Sequence, residues 1–270
     1  MRHLILALIV AVCPVGAAAQ DTRLQSLDTT EDGRIWESVG RLDIDGKGFC
    51  TGALIAPNLV LTAAHCLYDK YTKSRIDYQK VEFLAGWRNG RASAYRHVRR
   101  AVVHPSYIYD GAASSERVRH DVALLELQRP IRNTTVVPFE TAGSPRMGDK
   151  VGVVSYAHDR AEAPSLQELC GVMARQEGVL VMSCSVDFGS SGAPIFSFSS
   201  GKPRIVSVVS AKAEMGGVKV SLGAAVDLPL QVLRAELAAG KGFAQGPAPG
   251  QHRIVVGGAR RNTGAKFIKP

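Results

Sequence analysis

Short apolar, β-branched runs alternate with turn residues along most of this chain, from residue 35 to residue 226. Such runs, broken by Gly, Pro, Asn and Asp, are typical of strands in β-sandwiches and β-barrels, whereas βαβ units would need long helical patterns between the strands. We therefore predict an all-β fold. The clearest predicted strands are 53–55, 59–62, 81–84, 122–127, 151–155, 179–182, 194–198, 205–210 and 218–225.

One segment near the end of this β region has the pattern of a helix. Asp227 is a candidate N-cap, Leu230, Leu233 and Leu237 recur at helical spacing, and Gly240 is a candidate stop. The sequence thus predicts a single C-terminal helix packed against the β domain.

The N-terminal residues 1–19 have the pattern of a signal peptide. Arg2 supplies a positive charge, residues 4–12 are apolar, and the small residues Ala17, Ala18 and Ala19 precede the expected cleavage point. No apolar run approaches the roughly 20 residues that a membrane-spanning helix needs. We expect a secreted or periplasmic protein without a membrane span.

The formal net charge of +9 at pH 7 is concentrated near the C-terminus. No acidic residue follows Glu236, and the remaining body is only mildly basic, so the charge does not predict a nucleic-acid-binding domain. We interpret residues 241–270 as a solvated tail, with weak contact to an anionic surface as the alternative. Its basic residues are Lys241, Arg253, Arg260, Arg261, Lys266 and Lys269.

Four cysteines follow the signal peptide, and an oxidising compartment favours disulfides between them. Cys50, Cys66, Cys170 and Cys184 can be connected in three ways, and the spacing alone does not choose among them. No Cys-x-x-Cys or His-rich spacing indicates zinc, so we predict neither a metal nor another cofactor.

The segment from Cys50 to Cys66, CTGALIAPNLVLTAAHC, contains a turn between two apolar runs and ends on a histidine and a cysteine. Its LTAAHC block resembles the catalytic-histidine block of the chymotrypsin-like serine proteases, whose cysteine there is bridged to an upstream one. The resemblance implies that His65 is the catalytic base and that Cys50 pairs with Cys66. We also predict a Cys170–Cys184 disulfide.

Two later segments extend the resemblance. HDVALLEL, residues 120–127, is similar to the family's aspartate block, and GSSGAP, residues 189–194, is similar to its GDSGGP nucleophile turn. Taken in the family's chain order, they imply Asp121 as the acid that orients the histidine and Ser191 as the nucleophile. The backbone N–H groups of Gly189 and Ser191 would form the oxyanion hole. The aspartate and serine blocks are weak when taken alone, but the three blocks in order are specific.

The resemblance covers residues 36–237 and implies two packed six-stranded antiparallel β-barrels, with the active site between them and a helix at the end. We therefore expect an N-terminal segment, 20–35, and a protease domain, 36–240, that divides near 130–148. The short stretch between the aspartate and serine blocks indicates the compact bacterial branch that includes glutamyl endopeptidases.

The implied function is a monomeric, secreted serine endopeptidase that acts on protein or peptide substrates through an acyl-enzyme intermediate. The alternative is an inactive protease homologue that uses the same scaffold to bind a partner. An intact set of His, Asp and Ser residues favours the enzyme, because homologues without activity usually lose at least one of them.

The residues around the substrate side chain give weaker signals. Ser185 stands where a basic-specific enzyme has a carboxylate, although Asp187 is close in sequence, and Val206 stands near the position of a glutamyl-specific enzyme's histidine. We expect a neutral, small or apolar side chain at the scissile residue. The predicted pocket residues are Ser185, Val186, Ser207, Val208 and Val209.

Activation is expected to differ from that of the digestive relatives, in which a new N-terminus pairs with the Asp before the nucleophile. Ser190 occupies that position here. The Arg34–Ile35 bond directly precedes the presumed first strand, and the RIVVGG segment, residues 253–258, follows the whole catalytic unit. We predict that the oxyanion loop is formed by its own turn and that removal of the signal peptide suffices for activity.

Overall fold

The computed structural model describes residues 24–109 and 114–242. Regular structure in these residues is mostly antiparallel strand, arranged as two closed barrels with a helix after the second, and this confirms the predicted fold class. The predicted signal peptide, the RIVVGG segment and all but the start of the basic tail lie outside the described residues. No helix within the described ranges is long and apolar enough to cross a membrane.

The N-terminal segment contains a short strand, β1 (Gln25–Ser26), and a single helical turn, α1 (Thr30–Gly33), which runs into a 3-10 turn. The Arg88 guanidinium holds this segment in place: it donates to the carbonyls of Leu27 and Gly33 and forms an ion pair of 2.8 Å with Glu37. The segment is therefore anchored against the first barrel.

The first barrel closes in the order β2-β3-β4-β7-β6-β5, and β2 pairs with β5 to complete it. Its interior is apolar, and Leu54, Val60, Phe83 and Leu125 are fully buried there. A short helix, α2 (Ser115–Arg119), precedes the last strand. The six strands are β2 (Val39–Ile44), β3 (Gly48–Ala56), β4 (Leu59–Thr62), β5 (Val81–Ala85), β6 (Ala94–Val103) and β7 (Ala123–Leu127).

The second barrel also has six strands and closes in the order β8-β9-β10-β13-β12-β11, with β11 paired to β8. Strand β1 adds to the outer edge of β9, so the N-terminal segment contacts both barrels. Apolar side chains fill the interior of this second barrel, among them Val153, Leu180, Met182 and Ile195. The strands are β8 (Lys150–Ala157), β9 (Arg160–Gln176), β10 (Val179–Met182), β11 (Pro194–Ser197), β12 (Arg204–Met215) and β13 (Val218–Ala225).

A shared apolar core joins the barrels. The Trp36 ring lies 5.0 Å from that of Phe196, and Phe139, from the segment between the barrels, lies 4.8 Å from Phe196. Because these rings come from three separate segments, their burial fixes how the two barrels meet. The cleft described below depends on that arrangement.

The predicted C-terminal helix is α3 (Asp227–Ala238), and its apolar face buries Leu230, Leu233 and Leu237 as expected. The predicted N-cap is wrong, however, because Val226 occupies the cap position and Asp227 is the first helical residue. The Asp227 carboxylate lies in the first turn, where a negative charge interacts favourably with the helix dipole. Gly240 follows the helix with a positive φ of 78°.

Candidate active site

His65 lies at the rim of the first barrel. The chain leaves β4 after Thr62, and a 3-10 turn, Ala64–Leu67, carries the imidazole to the opening between the barrels. Cys66 in the same turn is bonded to Cys50 in β3, which confirms the first predicted disulfide. The turn that presents His65 is thus covalently tied to the barrel.

Asp121 lies behind His65 and is 1% exposed. Its Oδ2 is 2.6 Å from His65 Nδ1, and its Oδ1 accepts a 2.8 Å hydrogen bond from the His65 backbone N–H. The Ser210 hydroxyl donates a third hydrogen bond, of 2.5 Å, to Oδ2. A buried carboxylate with these partners holds the imidazole so that Nε2 is the ring nitrogen left for the cleft.

Ser191 comes from the second barrel, in the turn that precedes β11. The backbone of this turn is bonded to the first barrel: the Thr51 N–H donates to the Ser191 carbonyl at 2.9 Å, and the Thr51 hydroxyl donates to the Gly189 carbonyl at 2.9 Å. Ser191 and His65 line the same cleft, whose volume is about 290 Å³. The structure thus brings the predicted nucleophile and base together from different barrels.

The residue after Ser191 lies very close to the backbone at the end of β4. Gly192 has a φ of 75°, and a Cβ there would lie 2.1 Å from Thr62 Oγ1 and 2.8 Å from the Ala63 backbone nitrogen. Only glycine fits this position, because both the backbone conformation and the space exclude a side chain. The nucleophile turn is therefore packed directly against the end of β4.

The orientation of the two predicted oxyanion donors, the N–H groups of Gly189 and Ser191, follows from the hydrogen bonds of the carbonyls that precede them. The Phe188 carbonyl accepts a hydrogen bond from His158 N–H, and the Ser190 carbonyl accepts one from Ala193 N–H. In a trans peptide the following N–H points the opposite way, so the Gly189 and Ser191 N–H groups point away from these partners. Neither N–H donates to a protein acceptor within the described part of the chain.

Ser190, at the position where the digestive relatives have an Asp, is fully buried. Its hydroxyl lies 3.2 Å from the Ser155 hydroxyl and 3.3 Å from the Tyr156 carbonyl, and it accepts a 3.3 Å hydrogen bond from Asp187 N–H. The Ser190 N–H also donates to the Asp187 carbonyl at 2.9 Å. These contacts between neutral groups provide hydrogen-bond partners for Ser190 without an ion pair.

The predicted pocket residues divide into two groups. Val186 and Val209 line the cleft with Ser191. Ser207 and Val208 are fully buried, with the Ser207 hydroxyl bonded to the Ala224 carbonyl. These two residues therefore lie behind the cleft wall, and Ser185 is exposed but outside the cleft lining.

Several cleft residues were missed by the sequence-based reasoning. Arg117, on α2, and Phe188, Ala211 and Lys212 line the cleft, while Ser210 binds Asp121. The register of β12 against β13 shifts between Val209 and Ala211, so a bulge turns Ser210 toward the first barrel. Strand periodicity does not reveal such a shift.

Asp187 carries the carboxylate nearest to the nucleophile turn in sequence. Its Oδ1 is 2.8 Å from Lys212 Nζ, and it also accepts a hydrogen bond from Phe188 N–H. The bond to Lys212 is the main reason that the Asp187 pKa lies below its usual value. Because Asp187 is already paired, it is a poor partner for a basic substrate side chain.

Metal binding finds little support in this region. Cys50, His65 and Cys66 have potential ligand atoms within 4.8 Å of one another. Both sulfurs are in the disulfide and His65 Nδ1 is bonded to Asp121, so the group offers no free set of ligands. A larger depression of about 590 Å³, lined by residues 92–96 and 130–133, lies apart from the predicted catalytic residues.

The second predicted disulfide is also confirmed. Cys170 in β9 is bonded to Cys184, which follows β10 and begins the segment leading to the cleft. This disulfide ties the cleft wall that carries Val186 to the second barrel. The Cys50–Cys66 disulfide does the same in the first barrel for the turn that carries His65. The Cys170–Cys184 disulfide closes a short loop, and by restricting the unfolded chain it is expected to stabilise the fold by about 3 kcal/mol.

The chain is similar in sequence to proteins of a known family. The Trypsin family model matches residues 29–217. The glutamyl endopeptidase of Bacillus licheniformis is 26% identical over 172 residues, which cover 63% of this chain and 52% of that protein. Serine protease 23 of Mus musculus is 28% identical over 189 residues, covering 58% of this chain and 49% of its own. The chain therefore spans about half the length of the curated relatives it matches.

A solved structure of a Glu endopeptidase in complex with MPD has a similar fold. The TM-score is 0.66 at 20% sequence identity, and the match covers 81% of this chain and 98% of that chain. At this identity the similarity supports the two-barrel, chymotrypsin-like fold and nothing finer.

Proposed function

This chain belongs to the trypsin family, and from that premise we propose that it is a secreted serine endopeptidase. Ser191 is the nucleophile, His65 the general base and Asp121 the residue that orients the base. His65 and Ser191 come from different barrels yet line one cleft, with Asp121 bonded behind the imidazole; this observation carries the proposal.

The chemistry follows from these positions. Ser191 Oγ adds to the carbonyl carbon of the scissile peptide bond while His65 Nε2 takes the hydroxyl proton. The N–H groups of Gly189 and Ser191 bind the oxyanion that forms. When the carbon–nitrogen bond breaks, His65 gives the proton to the leaving amine. Water then attacks the acyl-enzyme with His65 as base, and the new acid is released from Ser191.

The test is peptide hydrolysis by the purified protein and by Ser191→Ala. We expect cleavage of a mixed peptide library by the native protein and its loss in the variant. Ser199→Ala is the matched control, because Ser199 is an exposed serine in the turn after β11. Equal activity of all three proteins would refute Ser191 as nucleophile. No cleavage by a native protein that is shown to be folded would favour the alternative, a binding homologue.

The side chain accepted at the scissile residue is proposed to be neutral, and small or apolar, as expected from the sequence. Val186, Val209 and Ala211 supply apolar surface in the cleft, and Asp187 is paired with Lys212. An acidic side chain is the second candidate, because a relative bears the name glutamyl endopeptidase; Lys212 lines the cleft, but it is paired with Asp187 and so favours neither charge. The same library digest decides between them from the residue that precedes each cut.

Export is proposed from the N-terminal pattern and is consistent with two disulfides. Expression with the native N-terminus in a secreting host should yield a protein that begins at residue 20. N-terminal sequencing of the exported form checks this expectation, and an uncleaved protein in the cell fraction would contradict it.

A further inference from the structure

A group of basic and aromatic side chains lies next to the cleft on the first-barrel side. We call it the basic–aromatic platform, and it consists of Tyr68, Lys73, Arg75, Tyr109 and Arg117. The rings of Tyr68 and Tyr109 are stacked, with centroids 4.9 Å apart and an angle of 4° between their planes. This stacked pair lies at the centre of the group.

Each cation of the platform lies over one of these rings. Arg117 is 5.0 Å and Lys73 is 5.4 Å from the Tyr109 centroid, and Arg75 is 5.8 Å from that of Tyr68. A ring face attracts a cation but carries no net charge, so it positions the cation without neutralising it. The platform thus collects positive charge at defined places.

Asp69 and Asp77, the carboxylates nearest in sequence to Lys73 and Arg75, serve the local backbone. Asp69 accepts hydrogen bonds from the N–H groups of Tyr71 and Thr72, and Asp77 caps the following turn. Lys73 Nζ donates to the Lys70 carbonyl, and Arg75 Nε donates to the Tyr68 hydroxyl. Across residues 24–109 and 114–242, neither Lys73 nor Arg75 forms an ion pair with a carboxylate.

The platform is continuous with the catalytic cleft. Arg117 lines the cleft together with Ser191, and the Tyr68 N–H donates to the His65 carbonyl at 3.1 Å. A peptide bound in extended form advances roughly 3.3 Å per residue. Residues a few positions from the scissile bond can therefore reach the platform while the bond itself lies at Ser191.

We propose that the basic–aromatic platform is a subsite for Glu or Asp side chains that flank the scissile residue of a peptide substrate. This inference rests on the proposed function and adds a substrate class to it. It concerns the flanking positions and is independent of the side chain at the scissile residue. The attraction is electrostatic, so it weakens as salt shortens the reach of charges.

The test uses two fluorogenic peptides that share one scissile residue and differ only in their flanks, with Glu in one and Gln in the other. We expect the native protein to show a kcat/KM about tenfold higher for the Glu peptide in dilute buffer, a preference that falls in roughly 0.5 M salt. In Lys73→Gln/Arg75→Gln the ratio of the two values should fall to about threefold or less. The matched control is Arg146→Gln/Lys202→Gln, which removes equal charge from exposed residues on the second barrel and should keep the native ratio.

Binding separates this proposal from the proposed function. In a Ser191→Ala background, fluorescence anisotropy gives the Kd of each peptide without any hydrolysis. Tighter binding of the Glu peptide that is lost in Lys73→Gln/Arg75→Gln supports the platform even if no peptide is cleaved. Equal Kd and equal kcat/KM for the two peptides, or a preference that both double variants retain, would overturn it.

Discussion

The two barrels hold their shares of the cleft by different means. The first barrel fixes His65 with a buried carboxylate, because Asp121 accepts hydrogen bonds from the imidazole, the His65 N–H and Ser210. Ser191, on the second barrel, is fixed without a charged group, through the neutral contacts of Ser190 and the tight packing of Gly192 against the end of β4 in the first barrel. A charge positions the proposed base, whereas backbone packing positions the proposed nucleophile.

This difference predicts where each kind of change is felt. A change of charge should act on the first barrel and alter chemistry or pH response. A change of volume should act on the second barrel's turn and alter its geometry and stability.

The largest expected effect comes from removing the charge behind the base. Asp121→Asn should lower kcat by around 10⁴ while the protein stays folded, because the amide favours the wrong imidazole tautomer. Steady-state kinetics and near-UV circular dichroism measure the two properties. Asp159→Asn, at an exposed surface carboxylate, is the control and should retain native activity. If Asp121→Asn kept most of its activity, Asp121 would not be the orienting acid.

The next effect tests packing at the nucleophile turn. Gly192→Ala should lower the free energy of unfolding by about 3 kcal/mol, since it adds a backbone clash to an unfavourable positive φ. Gly201→Ala is the matched control, because Gly201 has a similar φ of 78° with no atom within 4 Å of its added Cβ. It should cost only about 1 kcal/mol. Equal losses in urea denaturation would show that the clash is absent.

A smaller effect concerns acid stability of the first barrel. His104 and His120 are stacked at 4.6 Å, and burial is the main cause that lowers the pKa of each. His120 and Glu236 also face His104, while Glu116 and Arg119 face His120. Because the pKa of both histidines is lower in the folded protein than in the unfolded chain, the unfolded chain takes up protons at a higher pH. The free energy of unfolding should therefore fall as the pH drops below about 6.5.

Thermal unfolding between about pH 7.5 and 5 measures this effect. His104→Gln should flatten the decline in Tm relative to the native protein. His97→Gln, which removes a half-exposed histidine from β6, should leave the slope unchanged. A native Tm that did not fall on acidification, or identical slopes in all three proteins, would contradict the expected linkage.

The smallest expected effect tests whether the nucleophile turn forms without a new N-terminus. Residues 21–270 behind a fixed N-terminal tag, with Arg34→Gln, should match the turnover of the untagged protein. Ser190 has no charge to pair with an ammonium group, and its hydroxyl is already bonded within the turn. Activity that required cleavage near Arg34 or Arg23 would refute this account.

The positions of the proposed base and its carboxylate in the first barrel followed from the sequence more closely than the walls of the cleft did, for a physical reason. His65 lies shortly after β4 and Asp121 shortly before β7, so each falls where a short sequence motif coincides with the end of a strand. The cleft wall depends instead on the bulge at Ser210, which sets Ser207 and Val208 behind the surface. A shift of register between strands leaves no local signal in composition.

Strand detection had the same limit. The predicted bounds of β4, β10 and β13 match the structure, because β4 and β10 are short apolar runs and β13 begins with alternating apolar and polar residues. Strands β6 and β9 were not among the clearest predictions, since β6 carries several arginines and β9 contains Pro164 and scattered charges. Their burial comes from pairing with neighbours, which a single segment does not reveal.

Ser191 is proposed to be a nucleophile activated by groups from the other barrel, and a fluorophosphonate probe, which reacts with activated serines, can label it. The labelled protein is digested and the adducts are located by mass spectrometry. We expect one adduct, on Ser191, that is absent in Ser191→Ala and forms far more slowly in Asp121→Asn. A probe that labels another serine, or labels the native protein and Asp121→Asn at the same rate, would contradict it.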